Sequence, residues 1–137
     1  MSDPVKAMVD EFLSSGPFAV VGASADRGKF GNKVLRTYLQ NNLTAYPINP
    51  KETEIEGQKC FPDLKSLPEA VESISVITPP AVTEKIVEEA AQVGVKRIWM
   101  QIGSESEKTI QKAQEFGLKV IAGGPCVLVV LGFSERL

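Results

Sequence analysis

A chain of 137 residues with 43% hydrophobic and 23% charged side chains is long enough to bury one core and too short for two, so a single domain spanning 1–137 is expected. A formal net charge of -2 argues against a nucleic-acid binder held by a general basic surface, and no stretch approaches the ~18 apolar residues of a membrane span. Cys60 and Cys126 form neither a CxxC nor a metal-type spacing, and the acidic N-terminal stretch lacks an apolar signal core; a reduced, cytoplasmic protein is the expectation.

Asp3-Pro4 reads as an N-cap with a proline at the first helical position, and Val5, Met8, Val9, Phe12 and Leu13 make one apolar stripe ending near Ser15-Gly16. Phe18 to Val21 is an apolar run closed by Gly22, as in a central strand buried on both faces. Gly31 or Asn32 opens a second helix, with Val34, Leu35, Tyr38 and Leu39 on one face and Asn41-Asn42 as its stop; Leu43 to Ile48 is the next strand. The polar stretch from Lys51 to Lys65 reads as loop holding a short hairpin or a single helical turn. Ile74 to Thr78 is a strand ended by Pro79-Pro80, and the helix from about Ala81 to Gln92 carries Val82, Ile86, Val87, Ala90 and Val93 on one face with Gly94 as its stop. Arg97 to Ile102 is a strand, Ser104 to Glu107 a capping box for a helix that Gly117 closes, and Leu118 to Ala122 the last strand. Gly123-Gly124-Pro125 then leads into an apolar tail, Cys126 to Leu131, expected to pack on the core.

Strands alternating with helices imply right-handed parallel crossovers. The expected fold is therefore α/β, a Rossmann-like three-layer sandwich around a five-stranded, mostly parallel sheet. Ligands of such sheets bind outside the carboxyl ends of the strands, which makes the loops after each strand the candidate site.

In the first loop Gly22, Gly28 and Gly31 are spaced G-x5-G-x2-G, not GxGxxG. The mechanism survives the spacing: glycines let backbone N–H groups approach a phosphate, Ser24 adds a hydroxyl, and the next helix offers its N-terminal dipole. Lys29 and Arg27 can close over the same phosphate, although a plain strand-to-helix turn would also use glycines. At the end of the second strand an NAD site wants an acid for the ribose diol. Asn49, Pro50 and Lys51 stand there instead, which suits a ribose phosphate: the 3'-phosphate of coenzyme A or the 2'-phosphate of NADP. Between Phe18 and Lys51 the basic residues Arg27, Lys29, Lys33, Arg36 and Lys51 outnumber the single acid Asp26; Arg36 reads as part of a solvated helix face.

The absence of histidine removes the commonest general acid/base and metal ligand, so no catalytic residue and no metal are assigned. Trp99 reads as core. Gln101 and Gly103, at the end of their strand, can present an amide and bare backbone to a ligand. Cys126 reads as a buried small hydrophobe and Cys60 as the more exposed thiol.

The run VVGAS (20–24), then Lys29-x-Gly31, INP (48–50) with Gly57, ITPP (77–80) and WMQIG (99–103) together resemble the small CoA-binding domain proteins, similar to the N-terminal domain of the succinyl-CoA synthetase alpha subunit. The resemblance runs from about Ser15 to Cys126. It implies CoA or an acyl-CoA as ligand, with its pyrophosphate at Gly22, Ala23, Ser24, Arg27, Lys29 and Gly31. It further implies that Asn49, Pro50 and Lys51 lie near the adenosine phosphate, and that Thr78, Pro79, Pro80, Gln101, Ile102 and Gly103 line the pantetheine side. The synthetase subunit carries a second domain with a phosphorylated histidine, and this chain has neither, so a stand-alone binder without catalytic machinery is expected. Many relatives have a charged pair before the last cysteine where this chain has Gly123-Gly124-Pro125. The alternatives are an NADP-binding oxidoreductase module and a redox or protein-interaction module using Cys60 or Cys126. No nucleic-acid or membrane partner is expected, and a domain this small can pair as a homodimer through a helix face.

Overall fold

The computed structural model describes residues 1–136. Helix α1 (Asp3–Leu13) leads into strand β1 (Phe18–Val21), helix α2 (Phe30–Gln40) and strand β2 (Ala45–Ile48). A small hairpin, β3 (Glu54–Ile55) and β4 (Gln58–Lys59), and a 3-10 turn over Leu64–Ser66 precede β5 (Ser73–Val76). Helix α3 (Pro80–Gln92), β6 (Arg97–Met100), α4 (Glu107–Glu115), β7 (Lys119–Ile121) and α5 (Val127–Leu131) complete the chain.

The five main strands form one parallel sheet in the order β2-β1-β5-β6-β7. Every residue of β1, β5 and β6 is buried, because helices cover both faces and an apolar run has no solvent side to alternate toward. On one face Val9, Phe12, Val34, Leu35, Tyr38 and Val127 from α1, α2 and α5 pack against Phe18, Val20 and Trp99. Trp99 is fully buried, edge-on to Phe12 at 5.3 Å, and its indole N–H donates to the Pro125 carbonyl at 2.9 Å. On the other face Val87, Ala90 and Ala113 from α3 and α4 meet Ala19, Val21, Ile74, Val76, Ile98 and Met100. Burying such side chains contributes about 1.5–3 kcal/mol for each large one.

Local signals explain the element ends, with adjustments. The N-cap of α1 is Ser2, which accepts from the Val5 amide, so Pro4 sits second in the helix. The capping box of α4 is built by Ser106 and Thr109 rather than Ser104 and Glu107; Ser104 instead donates its hydroxyl to the Gln101 carbonyl at 2.7 Å and closes the preceding turn. The 51–65 stretch holds both a hairpin and a helical turn. At the hairpin tip Glu56 and Gly57 have φ of 50° and 76°, the two left-handed residues of a type I' turn. The apolar tail forms α5 and packs on the core through Val127, while Val129 faces solvent.

Candidate functional site

The connection from β1 to β2 runs to one side of β1 and the return to β5 runs to the other, so the chain direction across the sheet reverses between β1 and β5. At such a switch point the loops leaving neighbouring strands part and open a crevice. Here those loops are Gly22 to Lys29 and Ile77 to Pro79, with Asn49 to Lys51 beside them.

Two of the three loop glycines are there for steric reasons. A β-carbon on Gly22, at φ 95°, would lie 3.2 Å from Thr78 Cγ2 and 3.3 Å from the Ile77 carbonyl carbon. One on Gly31 would lie 2.1 Å from the Gly22 carbonyl oxygen, so the first turn of α2 rests directly on the end of β1. Gly28 has no such crowding from backbone; its amide donates to Asp26 Oδ1 at 2.9 Å.

Side-chain donors hold the loop's carbonyls back. Asn49 Nδ2 donates to the Ala23 carbonyl, Asn32 Nδ2 to that of Ser24, both at 2.9 Å, and Arg36 Nη2 to that of Arg27 at 3.0 Å. These bonds occupy the negative ends of three peptide dipoles, which would otherwise repel an anion in the loop, while the amides of Asp26, Gly28 and Lys29 bond within the loop itself. Asn49 also accepts the Lys51 amide at 2.8 Å, so its side chain ties the second loop to the first, and Lys51 stands exposed beside it.

Helix caps point the same way. Serine caps α1 and α4, whereas the N-cap positions of α2 (Lys29) and α3 (Pro79) make no side-chain capping bond. Neither of the two helices that start at the switch point is closed by a side chain at its N-cap, although Pro80 leaves α3 one amide fewer than α2 at its start.

A cavity of about 350 Å³ between these loops brings Gly22, Asn49, Pro50, Thr78 and Pro79 together. Its remaining wall includes Pro62, Asp63, Val82, Ile86 and Glu89. Sequence reasoning missed this wall: Val82 and Ile86 belong to the apolar stripe of α3, and a stripe alone does not tell core from cavity lining. Glu56 was missed too. From the hairpin tip its Oε2 lies 3.5 Å from Arg27 Nε and accepts from Asn32 Nδ2 at 3.2 Å.

Further along the sheet, Gln101 is fully buried, its Oε1 accepting the Val127 amide at 3.2 Å while Nε2 has no partner among the described residues. Ile102 is exposed next to Gly103, which has φ of 97°. A larger cavity of about 620 Å³ lies at the end of β7, between the start of α1 and the Ala122 to Cys126 loop. Helix α5, which starts at its edge, also lacks a side-chain cap but is only five residues long, and the glycine crossing of Gly22 and Gly31 lies at the smaller crevice, not here.

Three expectations are corrected. Arg36 is buried rather than solvated, because the segment after α5 covers it: its guanidinium lies 5.0 Å from the Phe133 ring. Cys60 is buried with its thiol 3.6 Å from the Asn49 carbonyl, and burial pushes its pKa up. Cys126 is the partly exposed thiol and borders the larger cavity. Among the described residues no group of acidic, cysteine or histidine side chains is placed to hold a metal, and no helix is long and apolar enough to cross a membrane.

A parallel α/β sheet with a glycine crossing and an anion-ready loop at its switch point defines a Rossmann-like nucleotide-binding domain. Comparison with known proteins makes this specific. Residues 17–132 match the family described as CoA binding domain, and the chain belongs to that family. It is 30% identical over 127 residues to an ADP-forming acetate–CoA ligase of Methanocaldococcus jannaschii, covering 87% of this chain and 18% of the ligase. Among solved structures, a conserved hypothetical protein from Pyrococcus furiosus superposes with a TM-score of 0.78 at 35% identity, covering 82% of this chain and 97% of that one. The acetyl-coenzyme A synthetase 1 of Candidatus Korarchaeum cryptofilum in its apo form gives a TM-score of 0.66 at 30% identity, over 75% of this chain and 25% of the synthetase. The chain spans less than a fifth of the length of the acetate–CoA ligase it matches.

Proposed function

We propose that this domain binds coenzyme A or an acyl-CoA across the carboxyl ends of its strands. The pyrophosphate sits on the Gly22 to Gly31 loop and the start of α2, and the 3'-phosphate sits at Lys51. Pantetheine runs past Thr78 to Pro80 toward Ile102 and Gly103, with Gln101 supporting that corner from beneath. The observation that carries the reading is the set of tied-back carbonyls at Ala23, Ser24 and Arg27, which keeps those oxygens from repelling an anion at the start of α2. The domain contributes binding and orientation; with no histidine in these residues, any phosphohistidine step depends on groups outside them. Two unpaired cysteines fit a reducing compartment, and the cytoplasm is the proposed location.

Thermal-shift titration with CoA, acetyl-CoA, dephospho-CoA, NAD and NADP tests the assignment. A ligand at about 100 times its dissociation constant stabilises the fold by about 2.7 kcal/mol. CoA and acetyl-CoA are expected to raise the midpoint. A shift with NADP and none with CoA would overturn the reading.

A further inference from the structure

The Gly22 to Gly31 loop is braced by a buried side chain from the second turn of α2. Arg36 lies one helical turn beyond Asn32 and is only 4% exposed. Its Nε donates to Asn32 Oδ1 at 2.6 Å and its Nη2 to the Arg27 carbonyl at 3.0 Å. Occupying the oxygen end of the Asn32 amide fixes which way that amide points. Nδ2 is thereby aimed at the Ser24 carbonyl and at Glu56. One guanidinium therefore sets two of the loop's carbonyls, one directly and one through Asn32.

The segment after α5 holds Arg36 from the other side. Its guanidinium lies over the Phe133 ring, and Nη2 is 3.7 Å from Glu135 Oε2. Gln40 and Ser134 exchange two hydrogen bonds of 2.8 and 2.9 Å, and Asn41 Nδ2 donates to the Gly132 carbonyl at 3.1 Å. These contacts lay the segment along α2.

We propose that Arg36 is the positioning residue of the phosphate loop, acting through Asn32 and the Arg27 carbonyl, and that Phe133 seats it. The inference rests on reading the Gly22 to Gly31 loop as the pyrophosphate site. A planar fork serves two acceptors at fixed angles, which a lysine ammonium on a flexible stem does not reproduce. Removing the fork frees the Ser24 and Arg27 carbonyls to rotate toward the ligand and repel it.

The test compares the wild-type chain with Arg36→Gln, Arg36→Lys and Phe133→Ala by two readouts. The first is hydrogen exchange of amides 24–29 without ligand. The second is affinity for CoA and for adenosine 3'-monophosphate, which carries the phosphate assigned to Lys51 but no pyrophosphate. In Arg36→Gln, exchange over 24–29 should rise about tenfold while β1 and β5 keep their protection. Its CoA affinity should fall about tenfold, against less than about twofold for adenosine 3'-monophosphate. Arg36→Lys should follow Arg36→Gln, and Phe133→Ala should move both readouts the same way by about threefold. Unchanged loop exchange, or equal losses for the two ligands, would overturn the proposal. If Arg36→Gln fails to fold, Phe133→Ala carries the same two readouts. If the wild-type chain binds no CoA, the site assignment fails, and the exchange data alone then decide whether Arg36 holds the loop.

Discussion

The Gly31 Cα and the Gly22 carbonyl oxygen are so close that a β-carbon on Gly31 would fall 2.1 Å from that oxygen. The obstacle is backbone at the end of a buried strand, not the tip of a mobile side chain. Gly31→Ala must therefore lift α2 off β1, and overpacking of this kind costs about 1–3 kcal/mol. Denaturant unfolding should show that loss, and the same variant should bind CoA more weakly because the loop moves with the helix. Gly124 is the control: a β-carbon there would meet nothing within 4 Å, and its φ is not left-handed. Gly124→Ala should be neutral or stabilising by up to about 1 kcal/mol.

Lys51 distinguishes a 3'-phosphate site from a general anion site. Lys51→Ala should weaken CoA about tenfold, as expected for losing one charge-assisted contact. Dephospho-CoA, which lacks the 3'-phosphate, should be nearly unaffected. Equal losses measured by calorimetry would mean that Lys51 does not face the 3'-phosphate.

The two thiols should separate cleanly in a labelling experiment. Cys60 is buried and desolvation holds its pKa up, so at neutral pH it remains a protected thiol. Cys126 is partly exposed. A bulky maleimide followed by mass spectrometry should modify Cys126 first and reach Cys60 only on denaturation. Faster labelling of Cys60 would contradict the packing of the 51–65 stretch.

Acid should destabilise the domain. Hydrogen bonding to Lys119 lowers the pKa of Glu11, to Lys96 that of Glu72, to Lys108 that of Glu84 and to Lys33 that of Glu135, each from an ordinary value of 4.5. Each carboxylate binds protons less readily folded than unfolded. Its contribution is complete above the unfolded value and disappears as pH falls below 4.5 through the lower folded values. Glu135 is exposed and Glu11, Glu72 and Glu84 are half-buried at the surface, so the effect should be modest and shrink further in high salt. Unfolding midpoints at pH 7, 5 and 3.5 in low and high salt measure it.

The sheet was legible because its strands are short apolar runs between turn residues, and Phe18 to Val21 is bounded as read. The loop proposed for phosphate stood out through residue types that serve anions and through the missing acid at Asn49-Pro50-Lys51, and the structure brings Gly22, Asn49 and Pro50 to one crevice. What stayed hidden depends on distant chain. Arg36 looks like any polar residue on a helix until Phe133 and Glu135 cover it. Glu56 reaches Arg27 only because a two-residue turn folds the hairpin back toward α2. The α4 cap was displaced by two residues because Ser104 and Ser106 both fit the pattern, and the Gln101 carbonyl claims Ser104. The missed wall on α3 came from a stripe whose outer members, Val82 and Ile86, line the crevice.

The central claim is that the crevice between β1 and β5 takes CoA through its pyrophosphate and 3'-phosphate. Calorimetric titration of the wild-type chain with CoA, dephospho-CoA, NADP and NAD measures this directly. The account predicts saturable one-site binding of CoA, weaker binding of dephospho-CoA, and little or none of NADP and NAD. Tighter binding of NADP than of CoA, or no binding of CoA, would contradict it.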